Sequence, residues 1–303
     1  MTLETRVAAT TGEWAETHKP IVVAVDGSER NRSAVAWASG EAAAAGCKVV
    51  LVTAIEDHLV PTPHFSVRSQ DQQARDMLAD VRHEVRHVVT EQDVDTDIVT
   101  GSPVEVLLDR SADARMVVVG KRGLGGFARV IVGSTSIAVA GRAKVPVAIV
   151  PDTWKQEEHQ DSAVVLGIDP YRPEHNPIHL AFSRARRLGV RLVAVHGWET
   201  PTAYSWDPAA MSGATSQWEQ EAHAEFDKVL DIWQERFPEV EVEAVHSHSH
   251  PAMAVLDAAE HSQLVVLGRH TDGKLGGFAF GSVTRAVLHY SECPVMVVPT
   301  EAS

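Results

Sequence analysis

The sequence predicts an α/β protein of two tandem domains, each a five-stranded parallel sheet with helices on both faces. The chain repeats itself: Val117-Val118-Val119-Gly120, Gly133-Ser134 and Val145-Pro146-Val147 recur 148 residues later as Val265-Val266-Leu267-Gly268, Gly281-Ser282 and Cys293-Pro294-Val295. The earlier landmark Val22-Val23-Ala24-Val25-Asp26 recurs as Val165-Leu166-Gly167-Ile168-Asp169 at an offset of 143, so five extra residues fall inside the second copy. A period this long, with a full set of strand and helix signals in each unit, describes whole domains, because solenoid repeats are far shorter. Within each copy, short Val/Ile/Leu runs alternate with amphipathic stretches, as in parallel strands buried on both faces.

The first copy opens with an apolar run at 20–25, then an Ala-rich helical stretch at 30–46 and a strand at 48–53. A charged helix at about 70–91 leads to a strand at 94–99, a helix from Pro103, a strand at 116–120, a helix opening at Ser134 and a last strand at 146–150. The second copy repeats the order with strands near 163–168, 191–196, 240–245, 264–268 and 294–298. Pro103 and Pro251 both stand where a helix should begin, a position at which proline forfeits no intrahelical hydrogen bond. The second helix of the second copy, around Ser216 to Phe237, is apolar at Trp218, Ala222, Phe226, Val229, Ile232 and Trp233. That helical spacing marks core or interdomain packing. The domains are expected at 18–152 and 161–300, with the polar stretch 152–161 as linker and the first 17 residues as an arm or tail.

Composition narrows the function. With 44% apolar and 22% charged residues the chain is of globular type, and no apolar run approaches the roughly 18 residues of a membrane span. There is no secretory pattern at the N-terminus, and the two cysteines, Cys47 and Cys293, fall in different copies, so a reduced, cytoplasmic setting is expected. The net charge of −14 is unevenly shared: Lys and Arg against Asp and Glu stand at 15 to 17 over residues 18–153 and at 11 to 21 over 154–303. An acidic chain argues against nucleic acid or an anionic membrane as the main partner.

The chemistry gathers in a glycine loop. Gly120 closes a strand, Gly123, Gly125 and Gly126 form a turn, and Gly133-Ser134-Thr135-Ser136 opens a helix. Glycines let backbone N–H groups approach an anion, and a helix N-terminus adds free donors and partial positive charge. Ser134, Thr135 and Ser136 bring hydroxyls, while Lys121, Arg122 and Arg129 are available to offset phosphate charge. A di- or triphosphate is what such a loop suits. No GxxxxGK[ST] P-loop exists in the chain, and the loose GxGxxG match at Gly123 follows the fourth strand, not the first. The run His246-Ser247-His248-Ser249-His250 puts imidazoles on one strand face, a conceivable metal clip that no nearby carboxylate or thiol completes, and it is read as a solvated strand end. Neither copy shows a nucleophile and general base at a recognisable spacing.

Gly120-x-x-Gly123 followed by nine residues and Gly133-Ser134 resembles the G-2x-G-9x-G-[S/T] signature of the ATP-binding branch of the universal stress protein family. Asp26-Gly27-Ser28, Gly101-x-Pro103 and Val145-Pro146-Val147 resemble that family's other landmarks. The resemblance covers both copies and is similar to tandem actinobacterial members linked with hypoxia, dormancy and growth control. It implies a Rossmann-like, adenine nucleotide alpha hydrolase-like fold. It further implies that Asp26 and the end of the second strand, Val52-Thr53-Ala54, hold adenine, that the small Ala24 lets the nucleotide pack close, and that ATP is accompanied by Mg²⁺.

The second copy retains Gly167, Asp169, Gly281 and Ser282, and Gly268 and Val283 are expected to join them at its site, but it departs in the loop. Thr271-Asp272 falls where a Gly-Leu pair stands in the first copy, or else Gly276-Gly277-Phe278 aligns with Gly125-Gly126-Phe127 and leaves only Ala279 and Phe280 before Gly281. A carboxylate there should weaken nucleotide binding unless Arg269, His270 or Lys274 compensates. The resemblance also implies that the final strands, apolar and at a sheet edge, pair copy one with copy two, leaving any homodimer to other surfaces. The expected function is an ATP-binding regulator in stress, with a slow ATPase or a cyclic-AMP buffer as the alternatives.

Overall fold

In the computed structural model, which describes residues 18–55, 67–90, 93–123, 132–199, 208–269 and 280–300, the two copies alternate strand and helix as the pattern demands. The first comprises β1 (Ile21–Ala24), α1 (Arg32–Ala45), β2 (Val49–Ile55), α2 (Val67–Val85), β3 (Val94–Thr100), α3 (Pro103–Ser111), β4 (Met116–Gly120), α4 (Ser134–Arg142) and β5 (Val147–Val150). The second comprises β6 (Val164–Gly167), α5 (His175–Leu188), β7 (Leu192–Gly197), α6 (Pro208–Gln234), β8 (Val242–Ser247), α7 (Pro251–Ala259), β9 (Leu264–Arg269), α8 (Ser282–Tyr290) and β10 (Val295–Pro299). The β-branched runs of β4 and β5 are buried along their whole length because helices cover both faces of the sheet.

The strands form one sheet in the order β3-β2-β1-β4-β5-β10-β9-β6-β7-β8. Every pairing is parallel except the central one, where β5 and β10 run antiparallel with Val147, Ala148 and Ile149 opposite Val297, Met296 and Val295. The expected edge pairing of copy one with copy two is therefore present within the chain. Since that pairing is antiparallel, the carboxyl ends of the two parallel halves point in opposite directions, as a pseudo-twofold axis through the seam requires. The outer edge strands carry charge: Asp95 and Asp97 of β3 pair with Lys48 and Arg110, and Glu243 of β8 pairs with Arg191. Charged edges discourage further strand addition.

Side chains reinforce the seam. Glu41 of α1, 1% exposed, takes a two-pronged ion pair from Arg184 of α5, and Arg187 donates to the same carboxylate at 2.9 Å. The Arg184 guanidinium also lies 5.1 Å from the Trp37 ring centre. On the other side of the sheet two cations cross reciprocally. The Lys121 ammonium, just past β4, donates to the Ser291 carbonyl at the end of α8 (2.7 Å), while Arg269, at the end of β9, donates to the Ala143 carbonyl at the end of α4 (2.5 Å). Helix C-termini expose unpaired carbonyls and partial negative charge, so each cation caps the other domain's last helix.

Two expectations change in detail. The polar stretch 152–161 is anchored: Trp154 is buried and stacks on His159 with ring centres 4.1 Å apart, residues Gln156–Glu158 form a 3-10 turn, and the Ser33 hydroxyl holds the Asp152 carbonyl at 2.9 Å. The long helix of the second copy starts at Pro208, earlier than expected, and its Phe226, Val229 and Trp233 pack inside their own domain, Trp233 against Phe182 and Phe237. The Trp218 side chain and residues 1–17 lie outside the described residues.

Glu41→Ala leaves Arg184 buried without a counter-charge, which typically costs about 3–5 kcal/mol. Urea denaturation should show that loss, and the apolar double replacement Glu41→Leu with Arg184→Met should recover most of it, since such a swap also removes the desolvation penalty. Burial alone would raise the Glu41 pKa, but Arg184 and Arg187 outweigh it and hold the carboxyl below its ordinary value. A depressed folded-state pKa means that the stabilisation is complete above the unfolded value of about 4.5 and is lost as pH falls through the folded one. Glu41→Gln should flatten this acid limb in a stability profile taken from pH 6 downward, and an unchanged limb would remove Glu41 from its cause.

Candidate functional site

In the first domain the strand order reverses between β1 and β4, whose diverging carboxyl ends open a crevice of the kind that receives ligands in parallel sheets. Ala24 ends β1, and two residues on the Asp26 carboxylate accepts from the Ser28 backbone N–H (2.9 Å) and hydroxyl (2.7 Å), with Gly27 between them at φ +77°. Thr53, buried, and Ala54, half-buried, end the neighbouring β2, and the Gly101 N–H donates to Ile55 at 2.9 Å, tying the ends of β2 and β3 together.

Gly120 ends β4. A Cβ on Gly123 would lie 2.5 Å from Asp26 Oδ2, so a side chain at this position would have to displace the aspartate carboxylate. Gly133, the cap of α4, donates its N–H to the Lys121 carbonyl at 2.8 Å, which fixes the start of α4, with Ser134 and Thr135, against the residue after β4. Gly125, Gly126 and Arg129 lie outside the described residues.

Three of the expected ligand groups have other partners. The Ser136 hydroxyl is buried and donates to the Gly120 carbonyl at 2.7 Å, joining α4 to β4. The Ser28 hydroxyl is bound to Asp26. The Lys121 ammonium, expected to offset phosphate, lies in the seam, where burial lowers its pKa and Arg122 lowers it further. Sequence reasoning also missed Asn31. This residue, 5% exposed at the head of α1, puts Nδ2 within 3.4 Å of where a Gly120 Cβ would stand, and its Oδ1 has no hydrogen-bond partner among the described residues.

The second domain repeats the switch point between β6 and β9. Gly167, Asp169, Gly268, Gly281, Ser282 and Val283, all expected from the repeat, line one cavity of about 380 Å³. The Asp169 carboxylate accepts the Tyr171 N–H at 3.1 Å, and Thr284 donates to the Gly268 carbonyl at 3.4 Å as Ser136 does to Gly120. Arg172, Glu174, His196 and Gly197 also line it and were not foreseen. A signal existed, because the offset of 143 sets His196 on Thr53 and Gly197 on Ala54. Buried His196 has Nδ1 3.3 Å from the Ile168 carbonyl, and burial lowers its pKa, so the ring is neutral near pH 7. Its Nε2 has no partner among the described residues.

Thr271, Asp272, His270, Lys274 and the alternative glycine alignment at Gly276-Gly277 lie outside the described residues; Arg269 is held in the seam. The histidine run does not act as a unit. The His246 ring packs on His223 and Phe226, that of His248 stacks on Trp198 at 4.1 Å, and His250 Nδ1 accepts the Ala252 N–H at the head of α7.

A methyl group at Gly197 would stand 2.7 Å from the Pro251 Cα and 2.9 Å from the Ala254 Cβ, both fixed by helix backbone. Gly197→Ala must therefore push α7 away from β7. Overpacking of this kind costs about 1–3 kcal/mol, and a thermal melt that matches the wild type would show that the contact is not rigid.

Comparison with known proteins accords with this geometry. The sequence profile of the universal stress protein family matches residues 17–151 and 162–299. A universal stress protein of Mycobacterium tuberculosis is 32% identical over 286 residues, covering 91% of this chain and 96% of the relative. One from Mycolicibacterium smegmatis is 33% identical over 295 residues, covering 92% and 96%. Among solved structures, a universal stress protein from Archaeoglobus fulgidus superposes with a TM-score of 0.68 at 19% identity, over 94% of this chain and 97% of that one, a likeness of fold.

Proposed function

Because the chain belongs to the universal stress protein family, we propose that its first domain binds ATP with Mg²⁺ and that the protein acts as a nucleotide-dependent regulator in the stressed or dormant cytoplasm. The observation that carries this reading is the loop that crosses Asp26 at Gly123 and returns at Gly133 to the start of α4. Adenine and ribose would lie along Ala24, Asp26, Thr53 and Ala54, and the phosphates over Gly120, Gly123 and the free N–H groups of Ser134 and Thr135. These residues fit a nucleotide, since a glycine approach and a helix N-terminus meet at a switch-point crevice. With Lys121 and Ser136 engaged elsewhere, backbone donors carry most of the phosphate recognition. Mg²⁺ would be held mainly by phosphate oxygens and water, with Asn31 Oδ1 a suitable acceptor for a metal-bound water. Matching residues of the second domain, Gly167, Asp169, Gly281, Ser282 and Val283, would form a site with lower ATP occupancy.

Gly133 provides a clean test. Its backbone is extended (φ −65°, ψ 145°) and among the described residues an added Cβ would meet nothing closer than the Ser136 hydroxyl at 3.5 Å, so the described fold can accept a side chain there. Gly133→Val should keep the wild-type melting temperature while crowding the helix start. Losing one charge-assisted hydrogen bond of about 1.5–3 kcal/mol weakens ATP by roughly tenfold or more, as calorimetry would measure. Unchanged affinity in the folded variant would remove the assignment. Mass spectrometry of nucleotide released from purified protein separates the activities: intact ATP supports the regulator, and ADP with steady turnover makes the protein a slow ATPase.

A further inference from the structure

The two switch points share one strand order and differ in a charged residue at the helix head beside the loop. The offset of 143 that joins Asp26 to Asp169 also joins Gly46 to Gly189, the residues that end α1 and α5, so no gap intervenes and Asn31 matches Glu174. Each heads its helix and each lies against the first glycine of its own loop. Asn31 Nδ2 is 3.4 Å from a Cβ built on Gly120, and Glu174 Cγ is 3.8 Å from one built on Gly268. A neutral amide in the first domain is thus replaced by a carboxylate in the second, at the mouth of the loop that would receive phosphate.

Val283 replaces the hydroxyl of Thr135 at the helix start, and His196, whose burial keeps it neutral, adds no positive charge where Thr53 stands. Arg172 replaces Glu29 in the opposite sense, but both of these are exposed and so more strongly screened, whereas Glu174 is half-buried. Among the described residues lining the cavity, the charged groups are Asp169, Glu174 and Arg172, a net of −1 before any ligand enters. What remains is the apolar floor, the Asp169 turn, and His196, which is 6% exposed and whose Nε2 has no hydrogen-bond partner among the described residues. The cavity of about 380 Å³ falls at the small end of ligand pockets.

Resting on the reading of the first domain as an adenine-nucleotide site, we propose that Asn31 and Glu174 set which charge each pocket accepts, and that the second pocket takes an uncharged purine nucleoside in place of a triphosphate. The base and sugar find the same framework in both domains. Glu174 and Arg172 each take part in further electrostatic interactions, so the test is the charge itself.

The experiment is calorimetry on the full chain with ATP and adenosine as probes. Wild-type protein should bind one equivalent of ATP and, once saturated with it, still take one equivalent of adenosine. In Glu174→Asn a second equivalent of ATP should appear, tightened by about tenfold to a hundredfold as a like charge a few ångströms from phosphate is removed. Asn31→Glu should weaken the first ATP by a similar factor, with a thermal melt confirming the fold; if that variant does not fold, Glu174→Asn carries the test. Two equivalents of ATP on the wild type, or ATP-saturated protein that takes no adenosine, would overturn the proposal. A chain that binds adenosine but no ATP would overturn the first-domain reading while supporting the second-pocket assignment.

Discussion

The antiparallel pairing of β5 with β10 is the constraint on which the rest of the molecule depends. Either strand alone would leave a row of backbone donors and acceptors along an apolar edge, an invitation to aggregation. Joined, they make one continuous sheet and fix the two halves about a pseudo-twofold axis. That axis lets one contact be made twice. Lys121 reaches the end of α8, and its counterpart Arg269 reaches the end of α4, because each follows the matching glycine, Gly120 of β4 or Gly268 of β9, in the strand next to the seam pair.

This arrangement has a consequence for ligand chemistry. The cation that follows the strand-ending glycine would be the natural partner for a phosphate, yet in both domains it is committed to a helix C-terminus across the seam. On the proposed reading, recognition of an anion would fall to backbone N–H groups at the N-termini of α4 and α8, the opposite ends of the same helices. Each of these helices therefore presents its positive end to a pocket and its negative end to a cation from the other domain. The dipole favours both contacts at once. A ligand at one pocket and the cation at the far end of its helix are thus linked through a rigid element that the other domain helps to hold.

Much of the fold was legible in the sequence. The duplication, the Val/Ile/Leu runs and the glycine spacing each reflect a backbone requirement that few residues can meet, and β4, α4 and β9 lie where those signals put them. Contacts that depend on a partner distant in sequence were not legible. Glu41 sits in an Ala-rich helix as a lone carboxylate, and nothing in its neighbourhood announces that Arg184, 143 positions away, will bury it. Lys121 looked like a phosphate ligand because the loop around it is local, whereas Ser291 is not. Trp154 was overlooked within a polar stretch, although a single aromatic ring is enough to pin a linker. Asn31, Glu174 and His196 belong to no motif and gain meaning only when the two copies are set against each other.

Setting the copies against each other also separates what a pocket must keep from what it can change. The register of β1 on β4 ends at Val23 beside Val118 and that of β6 on β9 at Leu166 beside Val266, so one residue further on Ala24 follows alongside Val119 and Gly167 alongside Leu267. A Cβ on Gly167 would lie 2.6 Å from the Leu267 side chain, so the second copy has moved bulk from one strand to its neighbour while keeping the floor filled. Paired changes of this kind are tolerated because interiors respond to total volume more than to which residue supplies it. Charge at the rim is under no such packing constraint. Asn31 and Glu174, or Thr135 and Val283, differ in polarity above sheets of the same strand order. A duplicated domain bound edge to edge with its twin keeps its floor for stability, and its rim is then the part free to take up a different ligand.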